Sequence, residues 1–322
     1  MKTSSIFKKG AIALSLAAGL SIAGGAAASS LGQSTLQITN FKFLTSVGGP
    51  ELSASAFSSL AIHDSTNLSP FLNGVGNQHV DSTNGGLPLP LFVACVGTCP
   101  GGSPFANAPI PPATSAALGA SSLDGVPIQG LPGFPPGPTS GANARTAALS
   151  QLTSNGLANS SANLILDTQF TFALNQSQSV TVDFDSLVHL IAFLSNTNGS
   201  AHAGVGWNID ISILNGASVF NWAPNGVLNP LTGATGGTEV ADNCNLNASR
   251  TVLLAGQAGL DCTGHETATT GLLLAGVQYQ LSISHQTLSD VTLVPEPETV
   301  LLMGLGLVGL GLTQRRRKAK KA

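Results

Sequence analysis

Charge is scarce in this 322-residue chain: only 8% of its residues are Asp, Glu, Lys or Arg. Aromatic residues are scarce too, at 5%, with one tyrosine and two tryptophans. So few cations exclude a nucleic-acid binder, which needs a basic face to neutralise phosphates. They exclude a coiled coil as well, whose flanking positions need Glu and Lys. A charged disordered tail is excluded because 43% of the residues are hydrophobic, enough to supply a core. No repeat of fixed period is visible, which argues against a solenoid or a propeller. Glycine and proline are plentiful at 38 and 18 residues, so the chain turns often.

Both ends carry export signals. Lys2, Lys8 and Lys9 lead into the apolar run Gly10 to Ala23, and Ala26-Ala27-Ala28 stands before Ser29. A positive start, a short apolar run and small residues at the junction predict a signal peptide over residues 1–28, cut by signal peptidase. At the other end, Val294-Pro295-Glu296-Pro297-Glu298 precedes an uncharged run, Thr299 to Leu312. Arg315, Arg316, Arg317, Lys318, Lys320 and Lys321 follow. The two prolines make a stiff, extended stretch that a membrane protease can hold in a cleft. The apolar run predicts a short transmembrane helix over 299–313. The basic tail over 315–321, with Arg315, Arg316 and Arg317 as its stop, is held on the cytoplasmic side. The 14 apolar residues reach about 21 Å, against roughly 30 Å of hydrocarbon, and four glycines weaken the helix. Such a span suits a transient membrane stop. Gly304, Gly306 and Gly309 formally spell GxGxxG, but they follow no strand of a βαβ unit and bind no dinucleotide.

This order of features resembles the PEP-CTERM sorting signal of exosortase substrates, over about the last 29 residues, Val294 to Ala322. The resemblance implies recognition at Pro295, Glu296 and Pro297 by an exosortase-type membrane protease in a Gram-negative bacterium that makes extracellular polysaccharide. It implies export, transient anchoring, and delivery to the cell surface or the extracellular polysaccharide matrix. It says nothing about the domain between the two signals, residues 29–293.

That domain has its own charge. Residues 29–294 hold 13 acids against Lys42, Arg145 and Arg250, a net −10. It should avoid anionic lipid and nucleic acid, and it could attract divalent cations. All four cysteines lie in it. In an oxidising compartment they predict disulfides: Cys95–Cys99 around a glycine-containing turn, and Cys244–Cys262 around 17 residues. A loop of the second size is worth roughly 3 kcal/mol in the chain-entropy account. Zinc fits poorly, since no second close cysteine pair exists.

Period-two alternation predicts strands. Leu36, Ile38, Phe41 and Phe43 mark a first one. From residue 162 onward the pattern dominates: Val180, Val182 and Phe184; Trp207, Ile209, Ile211 and Ile213; Tyr279, Leu281 and Ile283. Asn215-Gly216 predicts a hairpin with a type I′ turn, and Asn73-Gly74 and Asn84-Gly85 predict further turns. Ala142 to Asn155 has the Ala, Leu and Gln content of a short helix. Twelve of the 18 prolines fall between Pro88 and Pro138, so residues 86–140 read as a Pro/Gly-rich loop or insertion. The fold class is all-β, an antiparallel β-sandwich of jelly-roll type, with apolar helices at the two terminal signals.

Catalytic motifs are missing. His265-Glu266 fails HExxH because residue 269 is threonine, and no GxSxG elbow is present. The chain is therefore expected not to be an enzyme and to need no cofactor. Asp183 and Asp185 share one face of a strand. Calcium is one way to offset their repulsion, with Asp210 on a neighbouring strand as a further acid. Two solvated acids opposite Val182 and Phe184 is the other reading. Ser, Thr and Asn on the outer faces suit contact with polysaccharide, and Asn-x-Ser occurs at Asn67, Asn159, Asn175, Asn198 and Asn247. The functional expectation is an exported structural or adhesive protein. A carbohydrate- or calcium-binding module is the alternative, and a polysaccharide hydrolase comes third.

Overall fold

Period-two alternation becomes strand almost everywhere in the computed structural model, which describes residues 29–85, 88–105, 114–130, 141–294 and 304–308. In chain order the strands are β1 (Ser30–Leu44), β2 (Phe57–Ala61), β3 (His63–Leu68), β4 (Phe71–Leu72), β5 (Val75–Gly76) and β6 (His79–Asn84). There follow β7 (Leu89–Gly97), β8 (Ala116–Asp124), β9 (Ala142–Leu152), β10 (Gly156–Leu174), β11 (Thr181–Leu194) and β12 (Gly199–Ile213). The last are β13 (Ser218–Trp222), β14 (Ala234–Thr235), β15 (Gly237–Ala241), β16 (Ser249–Val252), β17 (Gly256–Thr270) and β18 (Tyr279–Leu293).

The strands form two packed antiparallel sheets, a sandwich as expected. One sheet runs β15-β17-β11-β1-β9-β8-β7. The other runs β14-β13-β12-β18-β10-β3-β6, with β16 beside β12, β2 and β4 beside β10, and β5 beside β4. In register, Trp207 faces His285 and Ile209 faces Ile283, while Asp210 lies opposite Ser282 on the outer side. Apolar residues of β1, β11, β12 and β18 point between the sheets, where Leu36, Phe184, Trp207, Ile209 and Leu281 are all buried.

The space between the sheets changes along its length. At one end it is filled by rings: Phe184 packs on Trp207 at 4.7 Å and Trp207 on Trp222 at 5.7 Å. Toward the other end comes a band of Ala, Ser and Gly, and beyond it Leu152, Leu194, Val291 and Leu293 close the sandwich. In the band the Ser150 hydroxyl donates across to the Ser289 carbonyl at 3.0 Å, and Ser34 to the Leu288 carbonyl at 2.9 Å. A Cβ on Gly32 would collide with the His202 carbonyl of the facing sheet. The sandwich is therefore narrow along this band and wider at the rings.

Both ends of the domain leave from the end beyond the serine band. Ser29 accepts a backbone hydrogen bond from Ser195, and Val294 donates one to Asn198. The short connection between β11 and β12 thus ties down both. The expected signal peptide (1–28), Pro295, Glu296, Pro297, and the basic tail with Arg315, Arg316 and Arg317 lie outside the described residues. Of the expected 299–313 helix, Gly304–Val308 is described and is helical. Among the described residues no helix is long and apolar enough to cross a membrane.

Three expectations are corrected. Residues 86–140 are not one loop: β7 and β8 lie within them and are paired members of the first sheet. Proline holds β7 to the sheet edge, where a missing N–H costs no ladder bond, and β8 contains no proline at all. The segment from Ala142 is β9 rather than a helix. It is sandwiched between β1 and β8, and Ala147, Ala148 and Leu149 are buried in succession, so no alternation marks it and pairing overrides helix propensity. The hairpin at Asn215-Gly216 exists, but only Asn215 takes a positive φ. The type I′ pair is found instead at Asn73-Gly74, with φ of 47° and 90°.

His285 sits between the sheets, fully buried, donating Nε2–H to the Leu36 carbonyl at 3.2 Å. Burial pushes its pKa from 6.5 down to about 4, and the bond to Leu36 offsets this only in part. The folded state then binds fewer protons than the unfolded one between these values. Stability present above pH 6.5 should fall as pH drops toward 4, by about 3 kcal/mol. Urea denaturation across that range should show this slope, and His285→Gln, which keeps a donor toward Leu36, should flatten it.

Candidate functional site

Asp183 and Asp185 project from the outer face of β11, two residues apart, as a strand requires. The register sets Asp185 opposite His265 and Asp183 opposite Thr267 on β17, and Lys42 of β1 opposite Asp183 on the other side. His265 lies between the two carboxylates, with Nδ1 2.9 Å from Asp185 and Nε2 3.2 Å from Asp183. Thr267 donates to Asp183 at 3.1 Å, Asn40 donates to Asp185 at 2.8 Å, and Lys42 stands 3.9 Å from Asp183.

Burial pushes the Asp185 carboxyl up. The Asn40 amide, the His265 bond and charge, and Lys42 outweigh it, and the group ends below its ordinary value. Its contribution to stability is thus present above the unfolded value near 3.8 and fades as pH falls through the lowered one.

The ring of His265 occupies the place between the acids that a cation would take. Asp210 does not join them: it lies in the other sheet and accepts from Ser218 at 2.6 Å. Among the described residues no group of three or more His, Cys, Asp or Glu side chains is arranged to hold a metal. Thr267, His265 and Asp185 do line up as hydroxyl, imidazole and carboxylate. However, Thr267 is only 2% exposed and its hydroxyl is given to Asp183, so it is not a free nucleophile.

Sequence reasoning gave His265 no role because its local motif failed. Its partners lie 80 residues away, and only strand pairing brings them together.

A second group of acids is fully buried and organises the loops between β13 and β17. Glu239 accepts from the Trp222 indole at 2.8 Å and from the Asn229 backbone at 2.7 Å. Asp242 accepts from the backbone of Asn225 at 2.9 Å and Gly226 at 2.8 Å. Glu266 accepts from the backbone of Asn243 at 2.9 Å and Cys244 at 3.1 Å, and from the Ser186 hydroxyl at 2.8 Å. Burial raises the Glu266 carboxyl, Asp242 adds to this, and the three donors pull the other way.

Beside Glu266, the Cys244–Cys262 disulfide fastens the same loop to β17, and Cys95–Cys99 closes the end of β7. Both pairings match the sequence expectation.

Glu266→Ala would strand the buried Cys244 N–H, the partly buried Asn243 N–H and the Ser186 hydroxyl. At about 1 kcal/mol or more for each unpaired donor, roughly 3 kcal/mol of stability should be lost. Urea midpoints of wild type and variant, both with the disulfide intact, measure it.

Residues 293–317 match the PEP-CTERM protein-sorting motif. No curated protein sequence matches the chain. Among solved structures, the VP2 subviral particle of infectious bursal disease virus aligns over 90% of this chain and 88% of its own, at 11% identity and a TM-score of 0.09. The Gx strain of the same virus aligns over the same shares at 13% identity and a TM-score of 0.10. At such scores the likeness carries no argument.

Proposed function

We propose that this chain is a non-enzymatic structural or adhesive component of the cell surface or extracellular polysaccharide matrix in a Gram-negative bacterium. The observation that carries the reading is the PEP-CTERM motif at 293–317, which supports export and processing by an exosortase, a membrane protein. The fold is consistent with that route. The last strand ends at Leu293, one residue before the motif's Pro295 is approached, and Ser29 is bonded to the same β11–β12 connection as Val294. A domain whose two ends leave together stands on the membrane by that end while the tail is held. Processing at the tail then frees it as a closed unit, with no strand pulled from a sheet. Signal peptidase acts at the other end.

The surface also suits a matrix component. On the outer side of β18, Ser282, Ser284, Gln286 and Thr292 carry no charge, and Asp290 among them is paired with His202. Disulfides at both cysteine pairs suit an oxidising exterior.

Intact mass of the protein from the native host tests this. The form recovered from surface or medium should begin at Ser29 and end near Pro295, with or without added sugar. A mass that retains residues 299–322 would instead make it a permanently tethered domain.

A further inference from the structure

A groove of about 510 Å³ lies on the outer face of the β10-containing sheet, between β4, β5 and the start of β10. Its construction follows from register. Asn159 of β10 pairs with Phe71 of β4, and Phe71 pairs with Gly76 of β5. Paired residues share a face, so the three stand in a row. The glycine supplies no side chain, and that gap deepens the groove beside the half-buried Phe71 ring. A Cβ at Gly76 would meet the ring at an ordinary 3.7 Å, and its φ lies outside the left-handed region. The gap is therefore not forced by backbone strain.

Leu157 lines the groove and is 41% exposed, and Asn77 and Gln78 close its far side. No charged residue lines it. Asp290, the register partner of Asn159 on the other side, is engaged by His202 at 2.8 Å. Asn77 donates to the Cys95 carbonyl at 3.2 Å and Gln78 to Asn67 at 3.4 Å, whereas the Asn159 carboxamide has no side-chain hydrogen bond among the described residues and offers both donor and acceptor.

We propose that this groove binds a segment of neutral polysaccharide. An aromatic ring and a leucine suit the apolar face of a sugar ring, and carboxamides suit its hydroxyls. A mostly apolar wall with a few convergent polar groups is how small-ligand sites are built. Charge selects among polysaccharides. With 13 acids against three cations in residues 29–294, an acidic chain is repelled by the whole domain, and nothing lining the groove offers it a cation. The groove also opens at the end where the chain leaves the domain, since Leu157 follows Gly156, the register partner of Leu293. Bound glycan would lie near the end that meets the membrane during sorting.

The inference deepens the matrix reading above and rests on it for its ligand class. The test uses the full chain purified in detergent, run in native gels cast with dextran, amylose or cellulose ether as neutral glycans, and with alginate as an acidic one. At least one neutral glycan should retard the wild type, and alginate should not. Gly76→Leu, which fills the gap, and Asn159→Ala should each weaken retardation about tenfold with an unchanged melting temperature. Gly76→Ala, which fits without collision, should keep it. Should Gly76→Leu fail to fold, Asn159→Ala decides.

Retardation by alginate alone, by none of the glycans, or undiminished in Asn159→Ala overturns the proposal. Co-sedimentation with the host's own matrix separates the two readings. If wild type and Asn159→Ala both co-sediment, the matrix role survives and the groove does not. If neither does, the matrix role falls as well.

Discussion

Direct contact between the two sheets through serine hydroxyls and bare glycine constrains how the layers of this domain are spaced. Ser34 and Ser150 reach the opposite main chain, and Gly32 lies against the His202 carbonyl. No larger side chain fits there without forcing the layers apart, which costs packing throughout a dense interior. The far end has the opposite requirement, because Phe184, Trp207 and Trp222 need width. Beyond the serine band, past Leu194 and Leu293, lies the β11–β12 connection, and there Ser29 and Val294 are both tied down.

Scarcity of cations sets the electrostatics. With three Lys and Arg residues in the domain, buried acids cannot be matched by salt bridges. Glu239, Asp242 and Glu266 are instead satisfied by backbone N–H groups, an indole and a hydroxyl. Hydrogen bonds to ionised groups are among the stronger ones, and each acid organises loop that would otherwise lack regular structure. Asp183 and Asp185, nearer solvent, are held by His265 and Lys42. Acid thus acts here as a scaffold for loops.

The same scarcity shapes the exterior. The outer side of β10 and β18 presents serine, asparagine and glutamine, and the groove at β4 and β5 adds a ring and a gap without adding charge. A surface of this kind has little reach over distance, since long-range attraction needs charge. It suits contacts made after delivery, when a sorting route has already brought the domain to its place.

Much was legible in the residues themselves. The C-terminal sorting motif, the strands at Val180–Phe184, Trp207–Ile211 and Tyr279–Ile283, and both disulfides follow from local order, period and spacing, which are properties of the chain alone. Strands buried on both faces were not legible. Ala147, Ala148 and Leu149 are all inside, so β9 shows no alternation and its alanines imitate a helix. β8 was hidden among prolines that lie outside it. The His265 clamp, the loop-anchoring acids and the row of Asn159, Phe71 and Gly76 could not be read either, because each depends on which strand lies beside which, and at what register. The sequence by itself determined the C-terminal sorting motif and that the domain would be built from half-buried strands. Only the tertiary structure decided which distant side chains meet, since antiparallel pairing joins residues as far apart as Ser34 and Leu288, and no local pattern encodes that partner.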